Sequence, residues 1–378
     1  MHIAFLTPEY PHPDLAKSGG LGTSIKNIAT AMAARGLQVS VIVPYQSKDF
    51  TFKDDGISIY ALGKKEYLFA NWYFYKKYIS KKIEELCTQH NINLIEGPDW
   101  TGIGTFIKFK VPYVVRLNGS DAYFCRMDRR VQKRKNFFLE KKNLQKANAI
   151  LSASQYTADI TAKIFKLKNK ITTIHNAIDV EHFVPNHSKT KNQILYFGTV
   201  IRKKGVLDIA HAFNLVILQK PDTELLFLGK DVIDMLFCVS TISLIKDILS
   251  PQALEKTTFV NNVPYKEVQQ YIAQAGVVCL PSYAEAFPMT WLEAMSMEKA
   301  LVTSDIGWAQ EMVIHGITGF MVNPSHHTEM SEYLLNFLRN PDLKKELGNG
   351  ARERVKSHFS TQVIVEKNIA YYKKQIGV

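Results

Sequence analysis

The sequence predicts an α/β protein made of two doubly wound domains, and three observations lead there. Short apolar runs rich in branched residues alternate with segments of helical period, the pattern of a parallel sheet covered by helices. That pattern starts afresh at Gln193 after a polar stretch with little periodicity. Finally, 378 residues with 46% hydrophobic and 22% charged content are ordinary globular composition and more than one typical core holds.

In the first half, strands are expected near residues 2–7, 38–43, 93–96, 113–117 and 149–152, with helices between them. The clearest helix covers about 24–35, where Ile25, Ile28, Ala29 and Met32 share one face and Gly36 stands ready to cap the C-terminus. The second half opens with a strand at 193–197 and a turn at Gly198. A helix follows in which Val206, Ile209, Ala210, Phe213 and Val216 line up. Further strands are expected at 224–228, 277–280, 300–303 and 320–322. The stretch 175–192, polar and containing Pro185, reads as a linker. Residues 361–376 repeat Val365, Ile369, Tyr372 and Ile376 at helical spacing, which predicts a terminal helix docked on a core.

Composition narrows the function classes. No apolar run approaches the roughly 20 residues that span a bilayer, and the opening strand is too short for a signal peptide's apolar region. Four scattered cysteines have neither paired nor metal-ligand spacing, so reduced core thiols in a cytoplasmic protein are expected. The formal charge of +12 is concentrated: Arg126 to Lys146 holds nine Lys or Arg against Asp128 and Glu140. Such a basic amphipathic helix suits an anionic membrane surface. Nucleic acid is not expected, because no zinc spacing, helix-turn-helix signal or aromatic recognition strand accompanies the charge. No metal site is expected either, since Glu285, Glu293, Asp121 and the scattered histidines form no ligand cluster.

The strongest chemical signal follows the strand at 277–280. Glu285 lies in the loop and Glu293 about a turn and a half inside the next helix, separated by seven residues. A helix N-terminus offers unpaired N–H groups and a positive dipole end to a phosphate, and flanking carboxylates accept hydroxyl hydrogen bonds. After the strand at 193–197 comes a basic turn with Thr199, Arg202, Lys203 and Lys204, which suits the charge that grows on a departing phosphate. The first strand leads into Lys17, Ser18, Gly19 and Gly20, where paired glycines let the backbone approach a ligand.

The block from Pro281 to Met295 resembles the Glu-x7-Glu motif of glycosyltransferase family 4, including Pro281-Ser282 before it and Glu293-Ala294-Met295 within it. The resemblance implies the GT-B fold: two Rossmann-like domains facing across a cleft, with a C-terminal helix crossing back to the first. The implied divisions are 1–180 on the acceptor side, 181–358 for the nucleotide sugar, and 359–378 for the crossing helix. It gives Glu285 the donor sugar and Glu293 the ribose. Backbone N–H groups of Phe287, Met289 and Thr290 would serve sugar and diphosphate. Pro288, standing where the family usually has glycine, supplies none.

The turn resembles the family's Gly-Arg…Lys-Gly segment. Lys204 matches the diphosphate-gripping lysine, Thr199 occupies the arginine's place, and Arg202 is a substitute for it. The Gly19-Gly20 loop resembles the family's donor-phosphate loop and also the Lys-Thr-Gly-Gly-Leu-Gly loop of glycogen and starch synthases, which sets Lys17 on the acceptor side. Asn118-Gly119-Ser120-Asp121 stands where members commonly show His-Gly-Ser-Asp, so Asn118 keeps a polar contact but no titratable group, beside Asp121 on the acceptor side. Val263 falls in the stretch Asn261 to Tyr265, which resembles the base-reading backbone.

The resemblance implies a retaining, metal-independent hexosyltransferase without a cofactor, using a UDP- or GDP-linked sugar as co-substrate. The acceptor is a saccharide or a lipid-linked saccharide, with surface polysaccharide or lipopolysaccharide assembly the favoured setting, on the cytoplasmic face of a membrane. Glucan elongation is the alternative that the synthase-like loop raises, and chain length argues against it because such synthases are typically longer. A nucleotide-sugar epimerase and a non-catalytic binding subunit complete the readings. Asn118, Thr199 and Pro288 favour the last of these.

Overall fold

The computed structural model describes residues 1–16, 18–186, 190–261 and 263–377. They form two compact units, Met1–Ala177 with Ser360–Val378, and Ile178–Phe359.

The first unit holds strands β1 (His2–Leu6), β2 (Gln38–Gln46), β3 (Phe50–Asp54), β4 (Ile57–Gly63), β5 (Leu94–Pro98), β6 (Tyr113–Leu117), β7 (Ala149–Ser152) and β8 (Ile171–Thr173). They lie in the order β3-β4-β2-β1-β5-β6-β7-β8, parallel except for β3. Helices α1 (Gly20–Ala33), α2 (Asn71–His90), α3 (Asp121–Met127), α4 (Arg134–Lys146) and α5 (Gln155–Phe165) connect them. Strand alternation divides the core. Ile3 and Phe5 join Ile25, Ile28 and Met32 of α1 on one face, while Ala4 and Leu6 join Ile79 and Ile83 of α2 on the other.

Three departures from expectation have local causes. Helix α1 starts at Gly20 instead of near residue 24, because the Glu9 carboxylate accepts the Gly22 N–H at 2.9 Å and holds a first turn with no apolar stripe. The β3–β4 hairpin was not anticipated, although Asp55-Gly56 signals it: both have positive φ, 48° and 81°, as a two-residue type I′ turn requires. The expected single basic helix over Arg126 to Lys146 is instead α3, a turn containing Arg129 at φ 53°, and α4. Glu140 of α4 accepts the N–H groups of Asp121 and Ala122, and Arg130 pairs with Asp121 at 3.0 Å. Those bonds fold one helix onto the other.

The second unit holds β9 (Gln193–Phe197), β10 (Glu224–Leu228), β11 (Thr257–Val260), β12 (Val277–Leu280), β13 (Leu301–Ser304) and β14 (Phe320–Val322), in the order β11-β10-β9-β12-β13-β14 and all parallel. Its helices are α6 (Val206–Gln219), α7 (Thr241–Ile248), α8 (Pro251–Glu255), α9 (Tyr265–Gln274), α10 (Met289–Ser296), α11 (Ala309–Met312), α12 (His327–Arg339) and α13 (Pro341–His358). Part of the supposed linker at 175–192 is packed into this unit. Ile178, Val180 and Phe183 are buried, and Arg352 donates to the carbonyls of Val180 and Phe183. Residues 187–189 of that stretch lie outside the described residues.

The last helix, α14 (Thr361–Ile376), belongs to the first unit. Its Ile364, Val365, Ile369 and Tyr372 enter the core beside α1. A buried polar knot fixes its position. Arg116 of β6 forks onto both carboxylate oxygens of Glu96 on β5 at 2.7 and 3.0 Å, and also donates to Asn368 and Tyr372. The Tyr372 hydroxyl returns a bond to Glu96.

Candidate donor site

In an open parallel sheet, ligands bind beyond the C-terminal ends of the strands where strand order reverses. In the second unit that point lies between β9 and β12. The two loops that leave it carry the two strongest sequence signals, and they are stitched together. The Lys203 carbonyl accepts the Tyr283 N–H at 2.8 Å, and a Cβ on Gly205, at φ 71°, would stand 2.1 Å from the Pro281 carbonyl. Only glycine permits that approach.

This contact brings Lys204 Nζ to 3.2 Å from Glu285 Oε1, which also accepts a bond from Ser282 Oγ at 3.3 Å. Both charged groups remain partly exposed. A Cβ on Gly198 would have Lys204 Nζ at 3.5 Å and Thr290 Cγ2 at 3.8 Å, so the ammonium and the first turn of α10 both border Gly198. Pro288 is the N-cap of α10 and makes no side-chain cap hydrogen bond. A cation, a carboxylate and the positive end of a helix therefore converge, an arrangement that can bind a phosphorylated, hydroxyl-rich ligand.

Glu293, on the same helix, is buried, and its Oε1 accepts the Tyr265 hydroxyl at 2.7 Å. Burial pushes its carboxyl up to about 7, opposed by the Tyr265 hydrogen bond and the Lys204 charge. Burial and the Glu293 charge push the Tyr265 hydroxyl upward. Sequence reasoning placed Tyr265 in a base-reading stretch and missed this bond, since no local spacing links residues 28 positions apart.

The other residues expected on the donor side have local partners of their own. Thr199 is exposed, and its carbonyl accepts the Tyr196 hydroxyl at 2.6 Å. Arg202 turns elsewhere: its Nε donates to Asp234 at 2.7 Å and its guanidinium lies over the Phe237 ring, while this bond holds the Asp234 carboxyl below its usual range. Phe287 packs edge-on against Phe359, Met289 is buried, and Val263 is half-buried between β11 and α9.

In the first unit the corresponding reversal lies between β1 and β5. Gly19 and Gly20 are exposed at the start of α1, and Glu9, which the sequence reading overlooked, places its carboxylate there. Lys17 lies outside the described residues. Asn118 is half-buried, and its N–H donates to Asp99 Oδ1 at 3.0 Å. Asp99 is fully buried, and burial pushes its carboxyl up to about 7. Asp121 is held by Arg130 and Asn136, which lower its carboxyl against the effect of burial. Among the described residues, no three His, Cys, Asp or Glu side chains gather as a metal site, and no helix is long and apolar enough to cross a membrane.

Residues 177–354 match the model of the glycosyl transferases group 1, and residues 18–182 that of glycosyltransferase family 4. The chain belongs to this family of glycosyltransferases. Its fold is that of the GT-B enzymes: sucrose-phosphate synthase from Thermosynechococcus elongatus superposes with a TM-score of 0.80 at 19% identity, covering 100% of this chain and 99% of that one. HepE of Anabaena, in complex with UDP-glucose, gives 0.72 at 17% identity over 98% and 100%. Among curated relatives, the capsular polysaccharide biosynthesis glycosyltransferase CapM of Staphylococcus aureus is 25% identical over 56% of this glycosyltransferase and 57% of its own length. Glycogen synthase of Mycobacterium tuberculosis is 24% identical over 98% of this chain and 94% of its own. That coverage removes chain length as an argument against glucan elongation.

Proposed function

We propose that this glycosyltransferase moves a hexose, with retention, from a UDP- or GDP-linked donor to a saccharide or lipid-linked acceptor in surface polysaccharide or lipopolysaccharide assembly. The observation that carries the reading is the Lys204–Glu285 pair at 3.2 Å in the loop region that leads into α10, whose N-cap Pro288 makes no side-chain cap bond. Breaking a glycosyl–phosphate bond leaves negative charge on the departing diphosphate, and preorganised cations and N–H groups stabilise it most in a site that excludes water. Lys204 and the α10 N-terminus supply them, filling the role that a divalent ion has in other transferases. Glu285, oriented by Lys204 and Ser282, accepts from hexose hydroxyls in this reading. Glu293 accepts from the ribose. Retention follows from departure and attack on one face, with a leaving-group oxygen taking the acceptor proton.

The names of the relatives support the donor and the acceptor class, UDP-glucose for HepE and capsular polysaccharide for CapM. The glycogen synthase match favours a second reading, glucan elongation. The basic residues of α3, α4 and the turn between them favour attachment to an anionic cytoplasmic leaflet. A panel of UDP and GDP sugars, assayed with and without malto-oligosaccharide and lipid-linked acceptors, tests the reading. One base should be preferred, and Glu285→Ala should lower turnover by roughly a hundredfold or more. Unchanged turnover in Glu285→Ala at saturating donor and acceptor would overturn the assignment. Tight nucleotide binding without turnover on any donor would instead mark a non-catalytic subunit.

A further inference from the structure

Between β4 and the body of α2 the chain does something a soluble surface does not require. Every residue from 64 to 74 is exposed. Leu68 is 97% and Phe69 81% exposed, and Trp72, Tyr73 and Phe74 follow at 45%, 39% and 40%. Five rings form one connected patch: Tyr67 against Phe74 at 5.6 Å, Phe74 against Tyr73 at 5.5 Å, and Phe106 against both Tyr73 and Trp72 at 5.8 and 5.6 Å. Phe106 takes φ 67°, a conformation that costs a non-glycine residue energy, while its ring stays 39% exposed in the cluster. Contiguous exposed apolar patches of this kind mark interaction surfaces.

The charge around the patch selects the partner. Lys64 and Lys65 precede it, and Lys77 and Lys81 follow it on α2, with Glu66 the single acid between residues 64 and 83, while Asp49 approaches Lys65 at 3.4 Å and Glu85 approaches Lys81 at 4.0 Å. Lys135 of α4 lies 5.0 Å over the Trp72 ring, which joins the patch to the basic turn where Val131 is 96% exposed. Amphipathic rings beside lysines, with an apolar tip projecting beyond them, match the headgroup and upper acyl layers of an anionic bilayer. A saccharide would need hydrogen-bonding side chains at Leu68 and Phe69, and a second copy of the chain would bring the same positive charge against this one.

We propose that residues 67–74 with Phe106, flanked by Lys64, Lys65 and Lys135, form a surface that inserts into an anionic lipid bilayer. The inference deepens the proposed attachment by the basic residues of α3 and α4, and rests on it only for its setting. Its test needs no transferase activity. The full chain is sedimented with phosphatidylglycerol-containing vesicles and with pure phosphatidylcholine vesicles at roughly 0.15 M salt. Wild type should bind the anionic vesicles, and the surface variant Leu68→Ser/Phe69→Ser should lose at least roughly tenfold in partitioning, with its melting temperature and nucleotide-induced thermal shift unchanged.

Brominated acyl chains should quench wild-type tryptophan fluorescence more than that of Trp72→Phe. A separate variant, Arg129→Ala/Lys133→Ala/Arg134→Ala, reads the attachment by the basic residues. If it binds like wild type while Leu68→Ser/Phe69→Ser does not, insertion stands and that attachment fails. Equal vesicle binding by Leu68→Ser/Phe69→Ser and wild type refutes insertion. So does a wild type that ignores anionic vesicles but dimerises through these residues, or one whose tryptophan signal responds to soluble oligosaccharide instead.

Discussion

Replacing Glu293 by glutamine separates what the site costs the fold from what it contributes to binding. A glutamate in the unfolded chain titrates near 4.5, whereas burial raises Glu293 to about 7. Between those values the folded protein holds a proton that the unfolded chain has released. Stability is therefore fully present below about pH 4.5 and is lost as pH rises through about 7. At about 1.4 kcal/mol per pH unit the loss amounts to about 3 kcal/mol. Glutamine has no proton to lose, and its carbonyl oxygen still accepts the Tyr265 hydroxyl. Glu293→Gln should thus match wild type at about pH 4 and exceed it at about pH 8, by roughly 6 °C in Tm. The same change should raise the donor KM by roughly tenfold, the worth of one charged hydrogen bond to ribose. Calorimetry of both proteins across this range measures the first effect and steady-state kinetics the second. Parallel pH profiles for the two proteins would refute the titration of Glu293 in this window.

Lys204→Met should lower kcat by roughly a hundred- to a thousandfold with the fold intact by circular dichroism, because it removes the cation facing the departing diphosphate. Gly205→Ala should destabilise the second unit measurably in calorimetry, since its methyl would meet the Pro281 carbonyl at 2.1 Å in a backbone conformation that disfavours side chains. Arg116→Met leaves Glu96 buried with the Tyr372 hydroxyl as a donor. It should cost about 3–5 kcal/mol, seen as a lowered Tm and faster proteolysis of α14, and Glu96→Gln added to it should recover part of the loss.

How much of this was legible follows from burial. Strands β6, β7, β9, β10, β12 and β14 begin and end where the apolar runs do. Most lie inside their sheets, covered on both faces, and so read as continuous hydrophobic segments. Of the overlooked strands, β3, β8 and β11 are edges, where partial exposure breaks the run, whereas β4 lies inside its sheet and alternates buried with half-buried residues over its first half. The basic stretch misled for a related reason: its charge count was right, but Arg130 and Glu140 are committed to α3 and break the single amphipathic helix.

By itself the sequence determined the alternation of strands and helices, the spacing of Glu285 and Glu293 on one loop and helix, and the placing of glycines where turns need them. All of these are written within a few residues, at the periods of the backbone. Only the tertiary structure decided which loops meet. Lys204 and Glu285 are neighbours because β9 and β12 are adjacent at the reversal of strand order. Tyr265 bonds Glu293 because α9 and α10 flank that same point. The Glu96–Arg116–Tyr372 knot spans 276 residues of chain. Local propensity carries no record of such partners, because sheet order and the packing of whole elements choose them, and only the folded chain brings their side chains within bonding distance.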